Sequence, residues 1–120
     1  MFISPLLAKL YVKKSLKNTA EGFEFRLRNI IDSATLVAFG PVKVDGAVFG
    51  PGLLSLTQEG ATVRGDEVAA SNPVAIRAFR DTLVGVRGNP LGPGAHKITV
   101  EGITLDVGRI TFDVKDSVDG

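Results

Sequence analysis

Apolar and polar residues alternate with a period of two along most of this chain. The clearest example is segment 23–28, in which two Phe residues and one Leu alternate with one Glu and two Arg residues. Such alternation is typical of a β-strand that buries one face and exposes the other to solvent. No helical period of 3.6 residues is sustained, and 14 Gly and 6 Pro residues divide the alternating runs. The pattern predicts an all-β fold of about eight or nine short strands.

Candidate segments for the other strands are found wherever alternation or an apolar run lies between turn residues. They cover segments 8–14, 34–39, 42–44, 47–49, 54–56, 61–63, 74–79, 83–87, 96–107 and 110–115. Lysines in the first of these segments indicate an edge strand whose open side they protect, and Tyr11 is expected to be exposed on that side. Segment 116–120 is interpreted as a polar tail.

Turn residues connect these strands. Asp45-Gly46 lies between two apolar runs, which predicts a β-hairpin with a type I′ turn. Segment 58–60, with the sequence Gln-Glu-Gly, predicts a second hairpin. Segment 66–72 allows two interpretations, because Asp66 is a suitable helix cap whereas Pro73 ends any helix within about one turn. The sequence therefore does not decide between a helix and a strand for this segment.

Length and strand number together predict the architecture. A chain of 120 residues has the usual size of one domain with its own core, so residues 1–120 are assigned to a single domain. The turn at 91–94 runs directly into a strand that starts at His96, which is how a sandwich brings a late strand back over its core. The predicted fold class is an antiparallel β-sandwich, either immunoglobulin-like or jelly-roll-like.

Composition excludes several classes of protein. The chain has no Cys, which excludes disulfides, and its formal net charge of +1 is spread along the sequence, so we expect no nucleic-acid partner. The apolar first ten residues contain Pro5 and Lys9, without a basic start or a cleavage motif. We therefore expect mature structure there rather than a signal peptide or a membrane span, and a cytoplasmic protein with no membrane partner.

The share of apolar residues points to a protein partner. Hydrophobic residues make up 44% of the chain, whereas charged residues make up only 22%. A small sandwich has much surface to cover, so part of this apolar surplus should stay exposed. Because contiguous exposed apolar surface usually marks an interface, we expect either a partner protein or self-association.

His96 is the one candidate for a catalytic residue. It is the only His in the chain, and imidazole is the side chain that normally titrates near neutral pH. It follows the turn Gly92-Pro93-Gly94, at a corner where sandwiches use a side chain to form a hydrogen bond back to a loop. That structural role is favoured over catalysis, so no catalytic residue is assigned beyond this candidate.

Other chemistry-bearing groups lack the required spacing. Asp66-Glu67 and the group Asp113, Asp116 and Asp119 do not form a calcium-binding loop, so we expect no metal. The glycine-rich segments 85–89 and 92–94 do not open a helix and are interpreted as turns rather than phosphate-binding loops. No cofactor is therefore expected.

Three blocks of sequence resemble the small β subunit of C-glycoside deglycosidases. They are segment 15–19 with segment 22–28, segment 42–46, and segment 91–98. The resemblance implies a β-sandwich subunit that pairs with a larger barrel-type α subunit, which supplies the metal and the acid–base histidine. The small subunit would support assembly and line part of the substrate pocket.

The expected function is that of a noncatalytic accessory subunit that docks on a larger enzyme subunit. As the resemblance implies, it would belong to a carbon–oxygen or C-glycoside lyase complex without being an enzyme on its own. Two alternatives stay open. One is a self-assembling structural homo-oligomer, in which the apolar run 34–39 makes contacts between copies. The other is a small ligand-binding module centred on His96.

Overall fold

The computed structural model describes residues 2–3 and 5–118 of the chain. Within these ranges no α-helix forms, and three short 3₁₀ helices lie between the strands, at Pro5–Leu10, Pro51–Leu53 and Gly65–Glu67. The strands, in chain order, are β1 (Phe2–Ile3), β2 (Lys17–Asn18), β3 (Gly22–Arg28), β4 (Ala34–Val44), β5 (Ala47–Phe49), β6 (Leu54–Gln58), β7 (Ala61–Arg64), β8 (Val74–Ile76), β9 (Asp81–Arg87), β10 (Gly94–Thr104) and β11 (Gly108–Val118).

The strands form two packed sheets. In the first sheet the order is β1-β11-β10-β4-β5, and β8 also pairs with β4. In the second sheet the order is β2-β3-β9-β6-β7. Every pair of strands is antiparallel except the two-residue β1, which runs parallel to β11. The predicted all-β class and antiparallel sandwich are therefore confirmed.

The core lies between the facing sides of the two sheets. In β3, Phe23 and Phe25 are buried while Arg26 and Arg28 are exposed, which is the alternation that the sequence predicts. The Phe23 ring packs edge-on against Phe49, with the ring centroids 5.5 Å apart. Truncating a buried Phe to Ala typically costs about 3–5 kcal/mol, so these rings are a major part of the stability. The other strands bury their own alternate residues, including Leu54, Leu56, Val42, Val84 and Ile98.

Both predicted hairpin turns are confirmed by the backbone. Asp45 and Gly46 have φ values of 52° and 88°, as a type I′ turn requires at its two central residues. Glu59 and Gly60 have φ values of 49° and 84° between β6 and β7. The right-handed twist of the strands favours this turn because its own twist matches theirs.

The first predicted strand is wrong. Residues 5–10 form a 3₁₀ helix, for whose first turn Pro5 is suited by its fixed φ, and Tyr11 makes only an isolated bridge to Leu27. Tyr11 is also not exposed, because only 6% of its surface is accessible. Its ring lies 5.5 Å from that of Phe25, and its hydroxyl donates a hydrogen bond of 2.7 Å to Asp116. Burial first, and then this hydrogen bond, raise the pKa of Tyr11.

Asp116 belongs to β11 rather than to a polar tail. Its carboxylate also accepts the backbone N–H of Leu16 at 3.1 Å, so it joins the chain after the 3₁₀ helix to the last strand. Strand β11 continues to Val118, which is buried. Of the predicted tail, residues 119 and 120 lie outside the described residues.

Segment 66–72 forms neither of the two predicted elements. Gly65–Glu67 is a single 3₁₀ turn, and Ala69 and Asn72 form an isolated bridge. The Asn72 side chain donates a hydrogen bond of 2.9 Å to the Glu67 carbonyl and so closes the loop on itself. The Glu67 carbonyl and the backbone groups of Ala69 and Asn72 thus form hydrogen bonds within the loop, without a helix or a sheet.

Strand lengths also differ from the prediction. The described residues contain eleven strands, of which β1, β2, β5 and β8 have only two or three residues. Strands β5 and β8 lie within the predicted segments 47–49 and 74–79, whereas β1 and β2 are not predicted, because two residues are too few for alternation to be recognised. Conversely, the predicted runs 34–39 and 42–44 join into the single strand β4, because Gly40 and Pro41 lie opposite a register shift in β10. A Pro residue without an N–H is tolerated at such an irregularity.

We predict that Tyr11→Phe lowers the free energy of unfolding by about 1–2 kcal/mol, because it removes a hydrogen bond to a carboxylate while leaving the ring in place. Urea unfolding followed by circular dichroism measures the change. The exposed neighbour Lys13 supplies the control, since Lys13→Ala should change stability by less than about 0.5 kcal/mol. Equal effects of the two substitutions would contradict the assigned role of the Tyr11 hydroxyl.

Candidate functional site

Three loops meet at one end of the sandwich, which we call the loop end: residues 29–33, 77–80 and 105–107. The buried side chain of Asn29 connects the first two loops. Its amide nitrogen donates to the carbonyls of Asp32 at 2.6 Å and Ile76 at 3.1 Å, and its amide oxygen accepts the N–H of Ile31 at 3.1 Å. An amide that is only 8% exposed therefore has partners on both of its polar atoms.

Further hydrogen bonds attach the third loop. The Asp106 carboxylate accepts the backbone N–H of Thr35 at 2.7 Å, and the N–H of Leu105 donates to the Thr35 carbonyl at 2.9 Å. The Ser33 hydroxyl accepts the N–H of Ala78 at 3.1 Å, between the first and second loops. The loop end is thus one hydrogen-bonded unit built from the ends of β3, β4, β8, β9, β10 and β11.

Large apolar side chains are exposed around the loop end. Five of the seven exposed large hydrophobic residues in the described part of the chain lie here, and we call them the apolar rim: Ile30, Ile31, Phe79, Leu105 and Val107. Phe79 is 72% exposed and Leu105 is 69% exposed. No other residue in ranges 2–3 and 5–118 covers these five side chains.

Phe79 also has an unusual backbone. Its φ of 62° lies in the left-handed region, which a bulky side chain rarely adopts and which typically costs about 1–3 kcal/mol. The N–H of Phe79 donates to the Asn29 carbonyl, which holds the residue in this conformation. An exposed aromatic ring on a strained backbone is a feature that occurs preferentially at binding and active sites.

Two residues of the apolar rim, Ile31 and Val107, also line a cavity between the two sheets. The cavity has a volume of about 390 Å³. Its interior is lined by buried apolar side chains from both sheets, among them Leu36, Phe39, Val100 and Phe112 from the first sheet and Leu56 from the second. Leu7 and Leu10 of the first 3₁₀ helix also line it, so this helix forms part of the wall.

The charged residues that line the cavity are all acidic. Asp32 and Asp106 are exposed and lie at the mouth, together with Ile31 and Val107 of the rim. Glu101 is half-buried, and its carboxylate lies 4.0 Å from the guanidinium of Arg109. Among the residues that the structure describes, no Lys, Arg or His side chain lines the cavity.

His96 lies at the opposite end of the sandwich and does not line the cavity. One ring nitrogen, Nδ1, lies 2.6 Å from the Asp45 carboxylate, and the other, Nε2, lies 2.7 Å from the Gly92 carbonyl. The other carboxylate oxygen of Asp45 accepts the N–H of Lys97 at 2.9 Å. The side chain of His96 thereby connects the β4–β5 turn, the start of β10 and the loop before it.

Electrostatics at His96 favour the protonated ring. Both nitrogens face acceptors, and only the imidazolium form can donate from both. The Gly92 carbonyl and then the Asp45 carboxylate raise the pKa of His96. The Lys97 N–H and then His96 lower the pKa of Asp45. A ring nitrogen could act as a base only after one of these hydrogen bonds breaks.

The candidate carboxylates of the sequence are not brought together. Asp66 pairs with the Arg64 guanidinium, and Glu67 accepts the Arg64 N–H at 2.8 Å. Asp113 accepts a hydrogen bond from the Thr99 hydroxyl at 2.7 Å, and Asp119 lies outside the described residues. Across residues 2–3 and 5–118, no group of three His, Asp or Glu side chains is arranged to hold a metal ion. No helix in these ranges is long and apolar enough to cross a bilayer.

Sequence reasoning missed the apolar rim and the cavity. The sequence predicts that Ile30, Ile31, Phe79 and Leu105 lie in loops or near the ends of strands. Large apolar residues at such positions are not part of the buried face of a predicted strand. Their position in turns was the available signal. That these residues come together at one end of the sandwich, beside a cavity, depends on which loops meet in space, and local alternation carries no information on this.

Comparison with known proteins identifies a family. Residues 6–119 match the family model described as hydroxymethylglutaryl-CoA reductase, N-terminal domain. No curated protein matches the chain. The resemblance to the β subunit of C-glycoside deglycosidases is therefore wrong, because the match to a different family covers nearly the whole chain. The three blocks that suggested it contain a hairpin turn and a sandwich corner, which are features of the fold and not of one family.

We predict that the protein loses stability as the pH rises through the raised pKa of His96. Protonation of His96 stabilises the folded state fully below about pH 6.5, which is the usual pKa of His in an unfolded chain. This stabilisation is lost as the pH rises above the folded-state pKa of His96. The lowered pKa of Asp45 gives a stabilising contribution that is complete above its ordinary pKa and is lost only as the pH falls through the folded-state value, so it does not change in the range where His96 titrates. Urea unfolding at about pH 6 and about pH 9 measures the difference.

The matched variant for this prediction is His96→Gln, which keeps a polar side chain but does not titrate. Its unfolding free energy should vary less over the same pH interval than that of the unchanged protein. If both proteins lose the same stability between the two pH values, the titrating group is not His96.

Proposed function

The chain belongs to the hydroxymethylglutaryl-CoA reductase N-terminal domain family, and on that premise we propose that it is a noncatalytic β-sandwich domain that docks on a larger enzyme chain. The partner that we propose is the catalytic part of a hydroxymethylglutaryl-CoA reductase. The family name supports this choice, since it describes a domain that precedes the rest of such an enzyme. The docking surface that we propose is the apolar rim.

The observation that carries this proposal is the concentration of exposed apolar side chains at the loop end. Phe79 and Leu105 are each more than two-thirds exposed, and Ile30, Ile31 and Val107 lie beside them. Soluble proteins rarely leave a contiguous patch of this kind open to water unless it is an interaction site. Aromatic side chains such as Phe79 are enriched at the buried centres of interfaces.

Charged residues near the rim fit the same interpretation. The Arg28 guanidinium and the Asp81 carboxylate lie 2.6 Å apart at the ends of β3 and β9, close to the loops that carry the rim. Arg77 and Arg80 are exposed on the same loop as Phe79. An apolar centre with a polar border is the usual anatomy of a protein interface.

The noncatalytic part of the proposal is supported by the way the titratable groups are used. Both nitrogens of His96 and both oxygens of Asp45 are hydrogen bonded within the fold. Their position at the end opposite the rim separates them from the cavity. We also propose that the contact forms in the cytoplasm, which a sequence without cysteine supports.

We predict that the chain forms a complex with the catalytic part of a hydroxymethylglutaryl-CoA reductase encoded in the same genome. Phe79→Ser should weaken this complex about tenfold or more, because truncating an aromatic anchor at the centre of an interface commonly costs about 2 kcal/mol. The substitution removes exposed apolar area, so it should not unfold the domain. Isothermal titration calorimetry measures the affinities, and light scattering measures the mass of each species.

Val48 offers a matched control. It is 60% exposed but lies on β5, beside the β4–β5 turn at the opposite end of the sandwich. Val48→Ser should leave the affinity unchanged. Two results would overturn the proposal. The first is an equal loss of affinity with Phe79→Ser and Val48→Ser. The second is that this chain forms no complex with the reductase and instead associates with further copies of itself through the apolar rim. The second result would favour the structural homo-oligomer.

A further inference from the structure

We propose that the cavity at the loop end binds a small amphiphile with an apolar body and a positively charged nitrogen. The volume of about 390 Å³ falls within the range of about 300–1,000 Å³ that is usual for ligand sites. Interiors of proteins are normally packed without voids much larger than a water molecule. A space of this size between two sheets, open at the loop end, is therefore a candidate for occupation by another molecule.

The interior of the cavity fits an apolar body. Its polar side chains are already satisfied within the fold. Thr82 accepts a hydrogen bond from the Gln58 side chain at 3.0 Å, and the Thr104 hydroxyl donates to the Gly108 carbonyl at 3.2 Å. Among the described residues, no buried side-chain nitrogen or oxygen lacks a hydrogen-bond partner. The interior thus offers a ligand mainly hydrocarbon surface from residues such as Leu36, Phe39 and Val100.

The two carboxylates at the mouth of the cavity, those of Asp32 and Asp106, favour a positively charged ligand. Asp32 uses one carboxylate oxygen to accept the N–H of Ser33 at 2.8 Å, and Asp106 uses one to accept the N–H of Thr35 at 2.7 Å. Each carboxylate retains a second oxygen as an acceptor. Within the described ranges, no Lys, Arg or His side chain lies within 4.0 Å of either group.

Anionic ligands do not match this mouth. A fatty acid carboxylate or the phosphates of an acyl-CoA would be placed beside Asp32 and Asp106 with no cation in the lining to compensate them. Like charges brought together with partial loss of water are unfavourable. An ammonium group, in contrast, finds two carboxylates beside the entrance to an apolar space. This inference concerns the isolated chain and does not depend on the proposed docking.

The test compares three probes with the same ten-carbon chain and different head groups. Decyltrimethylammonium, decanol and decanoate are titrated as monomers into the full chain, and methyl NMR signals of Leu36, Leu56 and Val100 report on the cavity. We expect the ammonium probe to bind tightest and decanoate weakest, with shifts at these methyl groups. Decanoate binding as tightly as the ammonium probe, or no shift at the cavity methyl groups with any probe, would overturn the proposal.

A double substitution isolates the contribution of the mouth. Asp32→Asn with Asp106→Asn removes both charges but keeps a side-chain oxygen that can accept the same backbone N–H groups. It should weaken binding of the ammonium probe about fivefold, on the scale of about 1 kcal/mol for exposed ion pairs, and leave decanol binding unchanged. Asp66→Asn, an exposed site outside the cavity lining, is the control and should change neither affinity.

A larger side chain in the cavity tests whether the probes bind inside it. Ala34 lines the cavity near the mouth, and Ala34→Leu should reduce binding of both decanol and the ammonium probe at least fivefold. Unchanged binding to this variant, with its fold verified by circular dichroism, would show that the probes bind elsewhere and would overturn the proposal. The docking experiment uses rim substitutions and a protein partner, so failure of one proposal is distinguishable from failure of the other.

Discussion

The packing of the two sheets across a shared apolar core is the constraint on which the rest of the structure depends. Over most of the sandwich, large side chains such as Phe23, Phe25 and Leu54 fill the space between the sheets. Towards the loop end, a cavity of about 390 Å³ lies between the two sheets. Close packing is the normal state of a protein interior, so the place where it stops is the place where another molecule can be accommodated.

Two side chains that line the cavity, Asn29 and Asp106, form hydrogen bonds between the segments beside its opening. Asn29 binds the loop after β3 to the end of β8, while Asp106 binds the turn after β10 to β4. These bonds hold Phe79 and Leu105 on the outside, although burial would otherwise be favourable for both. The left-handed backbone at Phe79 adds a cost of about 1–3 kcal/mol, and strain of this kind occurs preferentially at binding and active sites.

The two ends of the sandwich differ in their chemistry. At one end, the contacts of His96 with Asp45 and Gly92 use every available polar atom of the imidazole to join a turn, a strand and a loop. At the other end, five large apolar side chains are exposed, and the carboxylates of Asp32 and Asp106 accept backbone N–H groups without forming an ion pair with any described residue. The side chain of His96 therefore supports the fold, whereas the features on which the proposed binding rests come from residues of little intrinsic reactivity.

The sequence by itself determined the strands with clear alternation, the two hairpin turns and the antiparallel sandwich, because these follow from local periodicity and turn chemistry. It did not determine the burial of Tyr11, whose hydroxyl bonds to Asp116 more than 100 residues away. Nor did it reveal the cavity or the apolar rim, since these require knowledge of which loops meet. Only the tertiary structure decided these features, because contacts between distant segments depend on how the two sheets pack and not on the pattern within either segment.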